Sequence, residues 1–254
     1  MADLVRTEQE KVIEKYMNQS SDILSTFIKD TEMLDVIFMF DTTGSMYSYL
    51  ESVRQNLVRL TSKINSEIPD VYFGVVAYGD HCDADTTYVT KICQLTFDVN
   101  IIKNFIAIVE PTDGGDEPEA LEDALYESNR LNWREQSNKC IVLVGDAPPH
   151  GVMDSFNECP RGIDYREETR NLSDVGVKIY SVLCNNVHQT EVTFKWLADQ
   201  TNGKFLKLEN IDDLVDLIVA VCMKETGSLA SFENKLIESG EMTKSKKRLL
   251  LGLK

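Results

Sequence analysis

The chain has 254 residues, 43% of them hydrophobic, enough to bury a sizeable core, most simply as one α/β domain with extensions. Its formal net charge of −16 argues against a nucleic-acid partner, because phosphates attract lysine and arginine and repel such a surface. No run approaches the roughly 18 apolar residues of a membrane span, and the opening MADLVRTEQEKVIEK is charged where a signal peptide is apolar, so the expected location is the cytoplasm.

In chain order, residues 1–33 form a first extension. Val12, Ile13, Tyr16, Met17, Ile23, Leu24, Phe27 and Ile28 recur at helical spacing and predict an amphipathic helix that packs on its own domain, with a partner as the alternative. The run LDVIFMF (34–40) predicts a buried strand, followed by a helix over 45–66. VYFGVVAY (71–78) is a second strand. TTYVTKICQLTF (86–97) alternates instead, and predicts an antiparallel edge strand hairpinned to its predecessor. Helices are expected over 100–109 and 118–130, then a strand at KCIVLVG (139–145) and a helix over 165–175. VKIYSVLC (177–184) and the weaker KFLKL (204–208) are strands, with helices over 191–201 and 211–224. Apolar runs of this kind separated by helices are the mark of parallel strands covered on both faces.

The expected core, residues 34–226, is therefore a doubly wound α/β domain. It has a mostly parallel six-stranded sheet, one antiparallel edge strand and helices on both faces, a fold that places ligands beyond the carboxyl ends of its strands. Residues 227–254 form a second extension. Leu229, Phe232 and Leu236 share one helical face and Gly240 interrupts it. TKSKKRLLLGLK then carries five basic residues and no acidic one. The tail is expected to be loosely held, with the protein's own acidic surface, a partner's acidic patch or a membrane surface as alternative contacts.

Three loops at the carboxyl edge carry oxygen. FMFDTTGSM ends a buried strand in Asp41, with Thr43 and Ser45 at alternating spacing and Gly44 permitting the bend. A helix cap needs one such residue, not three. One carboxylate and two hydroxyls suit a hard cation. VEPTDGGDEPEALEDAL brings Asp113 and Asp116 around a glycine pair, and IVLVGDAPPHG ends another strand in Asp146. Carboxylates gathered this closely without a cation would cost Coulomb energy.

The segments FDTTGSM, GVVAYGDHCD, GGDEPEALEDAL and GDAPPHG resemble the von Willebrand factor type A domain with a metal-ion-dependent adhesion site. They are most similar to the branch associated with alpha-kinases, and the resemblance spans about residues 34–224. It implies that the family's D-x-S-x-S motif falls on Asp41, Thr43 and Ser45 and its third-loop aspartate on Asp146. In the second loop, where integrin-like members use a threonine, the place after Gly114 and Gly115 is taken by Asp116, with Thr112 as the alternative ligand. Mg2+ is the expected cofactor, with Ca2+ or Mn2+ as alternatives.

The remaining polar signals read more plainly. The six cysteines, Cys82, Cys93, Cys140, Cys159, Cys184 and Cys222, include no CxxC pair, so neither a zinc site nor a disulfide framework is signalled. No two of His81, His150 and His188 have metal-ligand spacing, and His150 is expected to make a structural hydrogen bond. Asp80, Asp83 and Asp85 are expected in a solvated hairpin rather than at a second ion. There is no P-loop, GxGxxG or kinase signature, and a D-x-D-x-T phosphatase would need aspartate where Thr43 stands, so no enzymatic activity is expected. The expected function is a divalent-metal-dependent protein–protein interaction module of an intracellular complex, which accepts an acidic side chain of its partner on the metal. The alternative is a structural subunit that uses its terminal helices, with the metal only stabilising.

Overall fold

The computed structural model describes residues 33–115, 117–152, 158–184 and 188–254. The amphipathic helix expected over 1–33 and the candidate ligand Asp116 lie outside the described residues. Strands β1 (Leu34–Asp41), β2 (Val71–Tyr78), β3 (Thr90–Thr96), β4 (Asn138–Gly145), β5 (Val177–Leu183) and β6 (Lys204–Lys207) form one sheet. Their order is β3-β2-β1-β4-β5-β6. Every pairing is parallel except that of β3 with β2. The chain leaves β1 toward β2 on one side and returns to β4 on the other. The crevice beyond β1 and β4 is thus the point where a doubly wound sheet opens to a ligand.

The helices are α1 (Tyr47–Glu67), α2 (Val99–Ile108), α3 (Leu121–Ser128), α4 (Tyr165–Asp174), α5 (His188–Gln200), α6 (Leu214–Glu225), α7 (Leu229–Glu238) and α8 (Lys244–Leu253). Alternation along the central strand decides which layer each residue feeds. Leu34, Val36, Phe38 and Phe40 enter one core with residues of α1, α2 and α6 to α8. Ile37 and Met39 enter the other with residues of α3, α4 and α5. Both faces being covered, β1 is buried along its whole length, which is why it reads as an unbroken apolar run. Five of the six cysteines are buried and all six are free, as small core residues would be.

The structure departs from expectation in three places. The edge strand starts at Thr90 rather than near 86, because Thr86 N (3.0 Å) and Thr87 N (2.8 Å) donate to Asp83 O and close a turn. Within this turn Asp85 is exposed as expected, but Asp80 and Asp83 are buried rather than solvated. Asp80 accepts from His81 N (2.6 Å), while Asp83 accepts from the backbone N–H groups of Asp113 (3.3 Å) and Gly114 (3.0 Å). The basic tail is the third difference. It forms α8, capped by the Thr243 hydroxyl, which accepts from Lys246 N at 3.1 Å. Leu249, Leu250 and Leu253 are buried in the main core. Its cations meet the chain's own acids, Lys246 with Asp216 (2.6 Å), Arg248 with Glu209 (2.6 Å) and Lys254 with Glu233 (2.7 Å). Among the described residues, no helix is long and apolar enough to cross a membrane.

Candidate metal centre at the carboxyl edge of the sheet

Asp41 is the last residue of β1 and is 1% exposed. Its Oδ1 accepts two hydrogen bonds from the turn that follows, one from Thr43 N (2.9 Å) and one from Thr43 Oγ1 (2.7 Å). This side-chain turn fixes the loop, and Gly44 then starts a single 3-10 turn that leads into α1. The other carboxylate oxygen, Oδ2, is buried with no hydrogen-bond partner among the described residues. An unsatisfied buried carboxylate oxygen is costly, and a missing ion is one of the few reasons for it to persist. Ser45 donates from Oγ to Asp146 Oδ1 at 3.1 Å, which joins the first loop to the one after β4.

Thr112 takes a different set of contacts. Its backbone N donates to Thr42 O (2.9 Å), and its Oγ1 lies 3.3 Å from Thr42 Oγ1. Thr42 in turn donates to Tyr78 O (2.8 Å) and accepts from Tyr88 OH (2.9 Å). Asp41 and Thr43 are thus in direct contact, as are Ser45 and Asp146, while Thr112 is held in the neighbouring hydroxyl network around Thr42. A Cβ at Gly79 would come within 2.5 Å of Thr112 Oγ1, so the loop approaches this closely only because glycine stands there.

Glu119 was not singled out by sequence. The sequence predicts a helix over 118–130, yet α3 begins only at Leu121. Glu119 instead forms an isolated bridge with Pro149, its N donating to Pro148 O at 3.0 Å, and Ala120 N donates to Gly79 O at 2.9 Å. The Glu119 Oε2 atom is buried without a partner among the described residues, as is the hydroxyl of Tyr78. No local signal marks it, since Pro118 is compatible with a first helical position and the place of Glu119 is set by its bridge to Pro149.

The electrostatics match this crowding. Burial pushes the Asp41 carboxyl up to about 7, the Thr43 hydrogen bonds oppose the rise, and the nearby Asp146 charge adds to it. Burial, then Asp41 and Asp80, push Glu119 up to about 10. Orphan acceptors on Asp41 and Glu119, with an oxygen-only donor set beside them, fit a hard dication such as Mg2+ or Ca2+. A second gathering of donor side chains, His81, Glu122, Asp123 and Cys159, belongs to the loops and helix start that follow the same strand ends.

The sequence profile of the von Willebrand factor type A domain matches residues 35–219. A Dictyostelium discoideum relative, alpha-protein kinase vwkA, is 27% identical over 68% of this chain and 28% of the relative. A putative ariadne-like RING finger protein, R811, of Acanthamoeba polyphaga mimivirus is 25% identical over 80% of this chain and 21% of its own length. The chain thus spans about a quarter of each. Among solved structures, a von Willebrand factor type A protein from Catenulispora acidiphila superposes with a TM-score of 0.55 at 16% identity, covering 78% of this chain and 43% of that one. The pilus adhesin SpaC of Lactobacillus rhamnosus GG superposes with a TM-score of 0.59 at 10% identity, covering 78% and 30%. Identities this low carry the fold alone.

Proposed function

The chain belongs to the von Willebrand factor type A domain family, and from that premise we propose that it is a divalent-metal-dependent protein–protein interaction module of a cytoplasmic complex. The family consists generally of interaction modules, and many members bind a divalent metal. The observation that carries the metal reading is the pair of buried oxygens without partners among the described residues, Asp41 Oδ2 and Glu119 Oε2, beside an oxygen-only donor set. In this reading Asp41, Thr43, Ser45 and Asp146 hold Mg2+, or alternatively Ca2+ or Mn2+. Asp116 or Thr112 adds the second-loop ligand, and Glu119 stands behind them as a further acid.

A bound dication supplies a Lewis-acidic point that accepts a glutamate or aspartate of the partner. The chain's own residues orient it. Thr43 locks Asp41, and Asp83 holds the Gly114 backbone, which has a positive φ of 74°. Asp41 and Asp146, both ionised, would cancel the formal charge of the dication, so the partner's carboxylate would join as a further oxygen ligand rather than be drawn by net positive charge. One such contact fixes orientation, and a complementary surface around it supplies the rest of the affinity. No nucleophile with a positioned base accompanies these ligands among the described residues, so we read the module as non-enzymatic. The kinase named in the Dictyostelium relative belongs to that longer protein.

The competing reading is a structural subunit that docks through its terminal helices. Burial of Leu249, Leu250 and Leu253 in the domain's own core counts against a free carboxyl-terminal docking helix. The two are separated by partner capture in Mg2+ and in chelator, with the wild type, an Asp41→Ala variant and a chain lacking residues 1–30. The module reading expects capture in Mg2+ only, lost in Asp41→Ala and kept by the truncation. Capture that ignores both chelator and Asp41→Ala but disappears with residues 1–30 would favour the structural subunit.

A further inference from the structure

The sheet-edge reading leaves His81, Glu122, Asp123 and Cys159 unexplained. They are separated by 41 residues between His81 and Glu122 and by 36 between Asp123 and Cys159, so no local spacing motif could reveal them. The fold brings them together. His81 sits in the turn after β2, Glu122 and Asp123 in the first turn of α3, and Cys159 in the segment between β4 and α4. One ligand atom from each can be chosen so that all four lie within 4.8 Å of one another.

The geometry is tighter than that limit. His81 Nε2 lies 3.0 Å from Asp123 Oδ2, 3.3 Å from Glu122 Oε1 and 3.6 Å from Cys159 Sγ. Cys159 Sγ is 3.6 Å from Asp123 Oδ2. Bonds of about 2.0–2.3 Å from a tetrahedral zinc set its ligand atoms about 3.3–3.8 Å apart. Four of the six edges therefore already have close to the length a zinc tetrahedron needs. A single ring N–H, moreover, can donate well to one of the three atoms around it, not to all three.

The surroundings are arranged as outer partners of metal ligands are. Arg161 pairs with Asp123 Oδ1 and leaves Oδ2 to the centre. His150 N donates to Glu122 Oε2 at 3.1 Å. His150 Nδ1 stands 2.9 Å from Glu122 Oε1, but out of line for a hydrogen bond, and is buried without another partner. Both carboxylates are fully buried, adjacent to each other at the start of a helix, and in need of positive charge. An imidazole, a thiolate and two carboxylates form a softer donor set than the oxygens at the sheet edge.

We propose that His81 Nε2, Cys159 Sγ, Asp123 Oδ2 and Glu122 Oε1 form a second, structural metal centre that takes Zn2+ or a similarly borderline-soft transition ion. It is independent of the sheet-edge reading. It ties the loop after β2, the start of α3 and the segment before α4 into one unit, and its loading releases the Cys159 thiol proton and the proton held on His81.

The test is an absorbance titration of the chelator-treated full chain with Co2+ in excess Mg2+. One equivalent should give a thiolate-to-cobalt charge-transfer band in the near ultraviolet, with the strong visible bands of a tetrahedral ion, both displaced by one equivalent of Zn2+. An oxygen-only site at the sheet edge cannot give the thiolate band. Cys159→Ser should abolish that band while the control Cys82→Ser keeps it. His81→Gln should weaken binding by more than the roughly tenfold loss seen when only an outer partner of a ligand is removed. A folded wild type without the band, a band that survives Cys159→Ser, or a His81→Gln protein that binds Co2+ as tightly as the wild type would each overturn the proposal. In that event the cluster is a proton-held ion-pair network.

Discussion

Asp41 concentrates the tension of the site in one side chain. Its Oδ1 holds the turn through Thr43, its Oδ2 has no partner among the described residues, and its carboxyl is pushed up to about 7 by burial. A carboxyl raised above its ordinary 3.8 favours the folded state fully below about pH 4, and that contribution is lost as pH rises through about 7. The metal-free protein at pH 8 therefore carries the whole penalty. Asn at this position keeps an oxygen for Thr43 and removes the charge. Asp41→Asn should raise the stability of the chelator-treated protein at pH 8, on the order of 1 kcal/mol or more, and abolish the further rise that Mg2+ gives the wild type. Thermal melts with and without metal read both effects, and a variant less stable than the wild type in chelator would show that the charge itself holds the loop. The turns that carry Asp41, Thr43, Ser45 and Asp146 were legible in the sequence because each follows a strand. Glu119 was not, because its place depends on a bridge to Pro149 that is contributed by a distant loop.

At the scale of elements, α8 shows how a segment can be misread from composition. Five cations without an acid suggested a loose tail, but the Thr243 cap and the leucines at 249, 250 and 253 were helix signals that its basic composition overshadowed. What the tail could not reveal was its counter-charges, Asp216 on α6, Glu233 on α7 and Glu209 ahead of α6. Burial alone would raise the Asp216 carboxyl, but hydrogen bonds from Lys246 and Lys63 outweigh it and hold the group below its ordinary 3.8. A lowered carboxyl contributes stability above its unfolded value, and the contribution fades as pH falls below about 4. Undocking of α8 should accordingly start in acid, before the sheet unfolds. Amide hydrogen exchange in residues 244–253 across pH 3 to 7 measures it, and Asp216→Asn should show the acid level of exchange at neutral pH. Protection unchanged in that variant would mean that the three leucines alone hold the helix.

Across the whole molecule, the two ends of the sheet divide the work. At the amino end Arg134 donates to buried Asp35 from its backbone N (2.8 Å) and Nε (2.6 Å), pairs with Asp70, and reaches Leu34 O at 2.9 Å. This clamp pins β1 at the end remote from Asp41. Removing one partner of a buried pair leaves an uncompensated charge, so Arg134→Ala should cost roughly 3–5 kcal/mol of stability. Below its lowered melting point the same variant should bind Mg2+ as the wild type does, and weakened binding would show that the ends are coupled. The mostly parallel sheet and its antiparallel edge followed from strand patterning because parallel strands covered on both faces are unbroken apolar runs, while the strand order did not. The convergence of side chains from different loops did not follow, since it depends on contacts between segments tens of residues apart.

The central claim is that the carboxyl edge of this sheet binds a divalent cation through Asp41 and its neighbours. Calorimetric titration of the chelator-treated protein with Mg2+, Mn2+ and Ca2+, beside a folded Asp41→Asn variant, tests it most directly. Saturable binding by the wild type and none at that site in the variant is the predicted result. A folded wild type that takes up none of the three ions, or a variant that binds them equally well, would contradict it.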